Sequence, residues 1–210
     1  MSTRYSEVLA PLRTAYDGEA DGRESRSGAK TPWKLVERTA FLERIRSEGR
    51  RDLLELGAGT GHDSLFFKEH GLDVVAIDLS RRMVEHCLAK GLDARVADFL
   101  RLGLPPASFD ATYALNSLLH VPNADIGLVL ASIRTVMRPT ALFFLGVYGG
   151  QSHEGALEND RHVPPRYFSL RGDDELQHLV TPYFDVVDFH TVALHEDDFH
   201  FQALTLRRPA

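Results

Sequence analysis

Residues 52–61 read Asp-Leu-Leu-Glu-Leu-Gly-Ala-Gly-Thr-Gly, and they decide the fold of this chain. The first half is apolar enough for a strand buried on both faces, and residues from Thr60 onward have helical character. The glycines at alternate positions therefore lie on a turn from a strand to a helix. Because glycine has no Cβ atom, this turn can take positive φ angles and a ligand can lie against its backbone. The stretch predicts a cofactor loop, and an incidental tight turn is the alternative.

A second apolar run follows at residues 73–77 and ends in Asp78. In doubly wound α/β folds, an acid at the tip of the second strand binds ribose hydroxyls, about 20 residues after the glycines. Asp78 has that position. The alternative is that Asp78 caps the helix beginning near Ser80, because Asp and Ser both favour helix N-termini. Both roles are compatible if Ser80 is the cap.

Two classes of ligand fit a glycine-rich turn of this kind. A dinucleotide loop has the pattern Gly-x-Gly-x-x-Gly, in which a helix N-terminus meets a pyrophosphate. This chain has His62 where the third glycine of that pattern would fall. It also has Glu55 close to the loop, where a carboxylate repels a pyrophosphate and attracts an ammonium or sulfonium group. The spacing therefore favours a cationic ligand over a dinucleotide.

The pattern Glu-x-Gly-x-Gly-x-Gly at residues 55–61 resembles the first motif of class I S-adenosylmethionine (SAM) dependent methyltransferases. The resemblance extends over residues 53–148, nearly half of the chain. It implies an α/β fold with a Rossmann-like, doubly wound, seven-stranded sheet. This sheet would be mostly parallel, with an antiparallel hairpin at its C-terminal edge and helices on both faces. The resemblance also implies SAM as the cofactor and methyl transfer as the activity.

The same resemblance assigns roles to residues after the second strand. A third strand is predicted at residues 94–97, and Asp98 and Phe99 follow it. In the family, an acid and an apolar residue at this point hold the adenine ring. Residues 109–115 resemble the fourth strand, and residues 116–120 resemble the loop that carries the methyl-accepting site. The predicted cofactor-binding residues are Trp33, Glu55, Gly57, Ala58, Gly59, Gly61, His62, Asp63, Asp78, Leu79, Asp98, Phe99 and Asn116.

The helix after the glycines begins with His62 and Asp63, where methyltransferases of the thiopurine and tellurite type often have Arg-Asp. In those enzymes the arginine lies near the cofactor carboxylate. A histidine can donate a hydrogen bond, but its charge depends on pH, so the partner of the carboxylate is open. Trp33, Lys34 and Arg38 on the preceding helix are further candidates, and a core position is the alternative for Trp33.

A general base is expected if the acceptor is an alcohol or a phenol, because proton removal assists such reactions by about 10²- to 10⁴-fold. His120 is the first candidate, since its loop follows the fourth strand and ligands of α/β sheets bind at the carboxyl ends of strands. The alternative is that His120 packs or caps the helix after Pro122. Tyr148, His153 and Glu154, at the end of the fifth strand and just beyond it, are the other candidates.

The remaining pattern alternates helices and strands, as a doubly wound fold requires. Helices are predicted over residues 6–16, with Tyr16 on the apolar face, and over residues 32–47. Residues 17–30 carry charges, glycines and serines but no large apolar residue, so a mobile lid is predicted there. Residues 1–47 would thus supply N-terminal helices and the lid, and residues 48–210 a single SAM-binding domain.

His195 and His200 flank the predicted hairpin turn at residues 197–198 and are interpreted as exposed, and no metal site is predicted.

Composition limits the classes of function. The chain has 210 residues, of which 43% are hydrophobic and 26% charged, as expected for one globular domain. It has 24 basic and 30 acidic residues, and the net charge of −6 disfavours a nucleic-acid substrate. No apolar run of about 20 residues and no secretion leader are present, so we expect a cytoplasmic protein without a membrane partner. The expected substrate is a small molecule methylated on oxygen or nitrogen, and the expected state is a monomer or homodimer.

Two other functions stay open at this point. A SAM-binding regulatory protein without catalysis would retain the same cofactor motifs. An NAD-dependent oxidoreductase is disfavoured by the glycine spacing and by the little room for a separate catalytic domain. The sequence does not specify the methyl acceptor.

Overall fold

A computed structural model describes residues 3–26, 31–194 and 199–210 of the protein. Its strands are β1 (Asp52–Leu56), β2 (Asp73–Asp78), β3 (Asp93–Val96), β4 (Phe109–Leu115), β5 (Met137–Gly149), β6 (His153–Ala156), β7 (Tyr167–Leu170), β8 (Asp185–Ala193) and β9 (His200–Arg207). Its helices are α1 (Tyr5–Arg26), α2 (Pro32–Ser47), α3 (His62–Glu69), α4 (Arg81–Ala89), α5 (Ile126–Val136) and α6 (Asp173–Val180), and Leu118–His120 form a 3-10 turn. Among the helices described, none has the length and apolar character needed to cross a membrane.

Seven of the described strands form one sheet, in the order β3-β2-β1-β4-β5-β9-β8. The neighbours from β3 to β5 are parallel, and β9 lies antiparallel between β5 and β8. The predicted doubly wound sheet with an antiparallel hairpin at its C-terminal edge is confirmed. The order reverses between β1 and β4, and a crevice opens at the carboxyl ends of strands at such a point. The predicted hairpin turn at residues 197–198 and His195 lie outside the described residues.

Both faces of the sheet are covered by apolar layers, because alternate residues of a strand point to opposite faces. Leu54 and Leu56 of β1 pack in the layer that contains Val129 of α5. Leu53 points the other way and packs in the layer that contains Phe41 of α2. The strand is therefore buried on both sides, as its apolar sequence predicts.

Helix α1 is longer than predicted. Residues 17–26 were expected to lack regular structure, but they continue α1 to Arg26. The reason is a row of acidic side chains along the second half of α1 that bind α3 and α4. Whether this half moves as a lid stays a prediction, and residues 27–30 lie outside the described residues. The contacts of the row are Asp17 to Ser80 (2.5 Å), Asp21 to Arg82 (2.7 Å) and His86 (3.0 Å), and Glu24 to Lys90 (2.8 Å) and His62 (3.0 Å).

A second, two-stranded sheet is formed by β6 and β7. Residues 151–168 are too polar for a core segment, and the structure has a hairpin here. Glu154 stabilises it by accepting hydrogen bonds from the backbone N–H of Asn123 (2.7 Å) and from the hydroxyls of Tyr167 (3.0 Å) and Ser169 (3.1 Å). The hairpin therefore lies beside the loop after β4, at the crevice of the main sheet.

Candidate active site

A cavity of about 690 Å³ lies at the carboxyl ends of β1, β2 and β4. This volume falls in the range of roughly 300–1,000 Å³ that is usual for small-molecule sites. The predicted site residues that line it are Glu55, Gly57, Ala58, Gly59, His62, Asp63, Asp78, Phe99, Asn116, His120 and Tyr148. The predicted residues that are not among its lining are Trp33, Gly61, Leu79, Asp98, His153 and Glu154.

The glycine loop after β1 forms one wall of the cavity. Gly59 has a φ angle of 55°, and a Cβ atom added there would meet no other atom within 4 Å, so its backbone faces open space. A Cβ atom at Gly57 would instead overlap the side chain of Ser117, so this glycine lets β1 approach the loop after β4. The open surface at Gly59 is where a ligand can lie against the backbone.

Asp78 lies beside this loop and holds it in place. Its carboxylate accepts hydrogen bonds from the N–H groups of Gly59 (2.8 Å) and Ser80 (2.8 Å). Burial raises the pKa of Asp78 to about 6, and the two hydrogen bonds offset part of this rise. Ser80 is the cap of α4, because its hydroxyl accepts from the N–H of Met83 (3.1 Å). The carboxylate of Asp78 lines the cavity as well as supporting the loop.

Two polar atoms in the loop after β4 fit a bound ligand. Oδ1 of Asn116 and Oγ of Ser117 are buried without a hydrogen-bond partner in the described part of the chain, and both residues line the cavity. A buried polar atom left unpaired costs roughly 1–3 kcal/mol. A ligand that brings an ammonium or hydroxyl group would offset this cost, so these residues fit the amino-acid end of SAM.

The positively charged side chains near the start of α3 differ in how well they are placed to bind a ligand. Arg38 is buried and its guanidinium binds Asp63 (Nη1 to Oδ1, 2.7 Å), so it is committed within the fold. Lys34 lines the cavity, with its ammonium 5.7 Å from the centre of the Tyr148 ring. Lys34 is therefore better placed than Arg38 to meet a ligand carboxylate.

Several predicted cofactor residues have a structural role instead of lining the cavity. Trp33 packs on Phe201, with 4.3 Å between the ring centres. Oδ1 of Asp98 accepts from the N–H groups of Leu100 (2.9 Å) and Arg101 (3.0 Å), which closes the turn after β3. Contact of Asp98 with adenine stays a prediction, and Phe99 next to it does line the cavity.

The four other predicted site residues that do not line the cavity also lie in the scaffold. A Cβ atom at Gly61 would collide with the side chains of Cys87 and Leu92, so Gly61 allows α4 to pack closely. Leu79 packs at the edge of the main apolar layer. His153 and Glu154, two of the candidate bases, belong to β6, where Glu154 supports the hairpin.

The prediction that His200 is exposed is wrong. It is half-buried, and its Nε2 lies 2.7 Å from Oδ1 of Asp173. The described residues contain no group of three or more His, Cys, Asp or Glu side chains that could hold a metal ion.

His120 is buried at the end of the cavity away from the glycine loop. Its Nδ1 lies 2.6 Å from the carbonyl oxygen of Tyr167, and because a carbonyl only accepts, Nδ1 carries the hydrogen. Its Nε2 lies 2.6 Å from the hydroxyl of Tyr16 and therefore accepts the hydrogen of that hydroxyl. Burial lowers the pKa of His120 to about 3, so the ring is neutral near pH 7. We refer to these two side chains as the Tyr16–His120 pair.

Two arginines lie against the ring of Tyr16. Nη1 of Arg166 donates to the Tyr16 hydroxyl (3.3 Å), and the same guanidinium binds Asp160 (2.9 Å). The guanidinium carbon of Arg23 lies 5.0 Å from the centre of the Tyr16 ring. The oxygen of Tyr16, whose hydrogen points to His120, is thus held in a positive environment. Apolar side chains complete this end of the cavity, namely Leu12, Leu119, Leu157 and Phe168.

Tyr16, Arg23 and Arg166 are site residues that the sequence alone did not reveal. Tyr16 was assigned to the apolar face of the first helix, and the helix was expected to end there. The one available signal was a phenol hydroxyl at the end of an otherwise apolar stripe. A buried tyrosine usually needs a hydrogen-bond partner, but the sequence does not say which.

Comparison with known proteins gives matches to methyltransferases. Residues 53–140 match a family model described as a methyltransferase domain. The chain is 30% identical over 146 residues to 27-O-demethylrifamycin SV methyltransferase from Amycolatopsis mediterranei (strain S699), which is 65% of this chain and 52% of that protein. It is 31% identical over 103 residues to an S-adenosyl-L-methionine-dependent Diels-Alderase from Talaromyces variabilis, covering 44% of this chain and 35% of that protein. The chain thus spans between a third and about half of the length of these two relatives.

The fold is also found among solved structures. A 1,6-didemethyltoxoflavin-N1-methyltransferase from Burkholderia thailandensis, with bound 1,6-didemethyltoxoflavin and S-adenosylhomocysteine, superposes with a TM-score of 0.77. The superposition covers 99% of this chain and 92% of that one at 22% sequence identity, so it shows a shared fold. The sheet order, the glycine loop with its neighbouring acids and the family match agree with one another, and they support a class I SAM-dependent methyltransferase in which residues 53–140 are the part that matches the methyltransferase domain.

Proposed function

We propose that this protein transfers the methyl group of SAM to an oxygen or nitrogen atom of a small-molecule acceptor. The observation that carries this proposal is that the glycine loop and the Tyr16–His120 pair line the same cavity. One end of the cavity has the residue types that bind the cofactor in this family. The other end has a polar hydroxyl among apolar side chains, which suits a small organic acceptor.

The cofactor end can be assigned residue by residue. Asp78 accepts hydrogen bonds from the ribose hydroxyls, and Phe99 packs against the adenine. Asn116 accepts from the ammonium group of the cofactor, and Lys34 pairs with its carboxylate. The contacts described above support these roles, because all four residues line the cavity. When bound, the sulfonium of SAM supplies an electrophilic methyl group.

Tyr16 is the proposed catalytic residue at the acceptor end. Because its own hydrogen is donated to His120, its oxygen accepts the hydrogen of the acceptor's O–H or N–H group. This hydrogen bond turns a lone pair of the acceptor atom toward the methyl group, and orientation of this kind can lower a barrier by roughly 7–11 kcal/mol. His120 acts through Tyr16 as a positioning residue, since its lowered pKa makes it a weak base. The proton of the acceptor is released to solvent after methyl transfer, because neutral His120 is too weak a base to hold it.

The first test of this function is cofactor binding. S-adenosylhomocysteine (SAH), the demethylated product, is titrated into the protein by calorimetry, with NAD as the comparison. At 100 times its Kd a ligand stabilises the fold by about 2.7 kcal/mol, which raises the melting temperature by a few degrees. We expect SAH to bind and NAD not to bind. Absence of SAH binding to the folded protein would refute the proposal.

The second test is turnover. Production of SAH from SAM is measured with a panel of phenols, alcohols and amines, and the methylated product is identified by mass spectrometry. SAH binding without SAH production from any acceptor would favour a regulatory protein instead. Such a result would also be compatible with a SAM-dependent reaction other than methyl transfer, as the name of the Diels-Alderase relative suggests for that protein.

The cellular location, the oligomeric state and the partners of the protein are part of the same proposal. We expect a cytoplasmic monomer or homodimer that acts without nucleic acid or membrane, with residues 48–210 as one folding unit beneath the helices of residues 1–47. The net charge of −6 supports the absence of a nucleic-acid partner. Light scattering gives the oligomeric state, and a DNA- and RNA-binding assay at low salt tests for nucleic acid.

A further inference from the structure

The acceptor end of the cavity carries a positive charge that the described residues do not neutralise. Arg23 and Arg166 lie 5.0 Å and 5.6 Å from the centre of the Tyr16 ring, measured from the guanidinium carbons. Arg166 is paired with Asp160, whose side chain is 2% exposed. Arg23 has no carboxylate within ion-pair distance in the described part of the chain; its contact there is the face of Tyr16.

No acid among the described residues that line the cavity lies within ion-pair distance of Arg23, although the charge of Arg23 acts on Asp78 and offsets part of the rise in its pKa. Glu55, Asp63 and Asp78 belong to β1, the start of α3 and β2, beside the glycine loop. The carboxylate of the cofactor has its own cation in Lys34, on the α2 side of the cavity. Arg23 therefore acts on Asp78 and Glu19 only at longer range, and no carboxylate of the described residues forms an ion pair with it.

The charge of Arg23 acts across the acceptor end. Both Arg23 and Arg166 contribute to the lowered pKa of His120, after the larger effect of burial. An anion bound beside Tyr16 would therefore meet two guanidinium groups, one of which has no other anion. A guanidinium is the side chain best suited to hold a carboxylate or phosphate, because its planar N–H groups match two oxygen atoms at once.

We propose that the methyl acceptor is an organic anion, with a carboxylate or phosphate group that Arg23 binds beside Tyr16. The body of this acceptor is apolar, since Leu12, Leu119 and Phe168 line the same cavity as Tyr16. The proposal rests on the proposed function, because it names the class of substrate for the same site. Neutral acceptors of the same shape are discriminated against, because they leave the charge of Arg23 without a partner.

The test uses small probes on the full-length protein saturated with SAH. Benzoate, phenyl phosphate and the neutral benzamide are titrated, and binding is followed by ligand-observed NMR. The variants are Arg23→Gln and, as the matched control, Arg13→Gln, which removes a positive charge from an exposed position of α1 outside the cavity. We expect at least one anion to bind the native protein at least tenfold more tightly than benzamide. Arg23→Gln should remove this preference, and Arg13→Gln should retain it.

The outcomes separate this inference from the proposed function. Calorimetry with SAH should give the same Kd within twofold for the native protein and Arg23→Gln, and failure of the native protein to bind SAH would count against the proposed function. If SAH binds but neither anion is preferred over benzamide, the anionic acceptor is overturned. The same holds if the preference survives in Arg23→Gln. A preference for benzoate or for phenyl phosphate identifies which anion the site takes.

Discussion

The hydroxyl of Tyr16 lies 2.6 Å from Nε2 of His120, although 104 residues separate the two in the chain. Tyr16 belongs to α1 and His120 to the 3-10 turn after β4, so this hydrogen bond joins the N-terminal helix to the crevice of the sheet. The tautomer of His120 is fixed by the carbonyl of Tyr167, which makes Tyr16 the donor. The lone pairs of the Tyr16 oxygen are thus held in a fixed direction, and this oxygen can accept a hydrogen bond.

Replacing Tyr16→Phe removes this oxygen and retains the ring. We expect kcat to fall by about 10²- to 10⁴-fold, the usual contribution of a positioned acid or base. The Kd for SAH should stay within twofold, because Tyr16 lies at the acceptor end. Tyr183→Phe, outside the cavity, is the matched control and should keep kcat. Equal activity of Tyr16→Phe and the native protein would remove Tyr16 from the chemistry.

The two members of the pair should also depend on each other. If His120 acts through Tyr16, then His120→Ala in the Tyr16→Phe background should lower kcat little further. A double-mutant cycle measures this coupling, with melting temperatures as the check on folding. If the fold-losses in kcat of the two single variants multiply in the double variant, His120 acts on the acceptor independently of Tyr16.

Asp78→Asn tests the ribose site. The amide retains the shape of the side chain but loses the negative charge, so hydrogen bonds from ribose hydroxyls weaken. We expect the Kd for SAH to rise by about 10- to 100-fold, which corresponds to roughly 1.4–2.7 kcal/mol. A fall of a few degrees in melting temperature should accompany it, since Gly59 and Ser80 donate to this carboxylate. Asp93→Asn on the surface is the control, and an unchanged Kd would exclude Asp78 from the site.

The pH dependence of binding follows from the same carboxylate. Burial raises the pKa of Asp78 to about 6, so the group becomes protonated as the pH falls below 6. Ribose hydroxyls donate to the ionised form, which means that affinity is complete above this pKa and is lost below it. We expect SAH to bind roughly tenfold more weakly at pH 5 than at pH 8. Calorimetry across this range measures the effect, and Asp78→Asn should flatten the profile; an identical slope in that variant would assign the titration to another group.

Gly59→Val tests the open surface of the glycine loop. A side chain there meets no protein atom within 4 Å, so it would project into the space proposed for the cofactor. The matched control is Gly103→Val, because Gly103 has a φ angle of 63° and similarly open surroundings but does not line the cavity. Both variants carry the same backbone strain, about 1–2 kcal/mol. Only Gly59→Val should lose SAH binding, and equal binding by both would place the cofactor elsewhere.

The sequence predicted which residues near the glycine loop line the cavity, because this part of the site is encoded locally. Gly57 and Gly59 lie in one short turn, and Asp78 follows at a fixed offset. The sheet is predictable for the same reason, since its strands are continuous apolar runs bounded by turns. The predicted seven-stranded sheet is therefore confirmed, and the glycine loop and Asp78 lie together at the crevice.

The acceptor half was not predictable in the same way, because it depends on contacts between distant segments. Residues 17–26 have too few apolar side chains to predict a helix, and their helix is stabilised by acidic residues that bind α3 and α4. The position of Arg166 depends on a hairpin whose first strand, β6, is polar and is joined to β7 by the hydrogen bond between Glu154 and Tyr167. No local pattern indicates that Arg166 and Tyr16 meet.

Helix α1 supplies Tyr16 and Arg23 to the cavity, whereas the glycine loop and Asp78 come from later in the chain. A fragment that starts at residue 48 would retain the glycine loop, Asp78, Asn116 and all of the segment that matches the family model. It would lack Tyr16 and Arg23, and with them one side of the acceptor pocket. Such a fragment would still match the family model, but it would lack the tyrosine and the arginine that we propose orient and select the acceptor. If that proposal holds, changes within the first 26 residues can alter the choice of acceptor while the glycine loop and Asp78 stay unchanged.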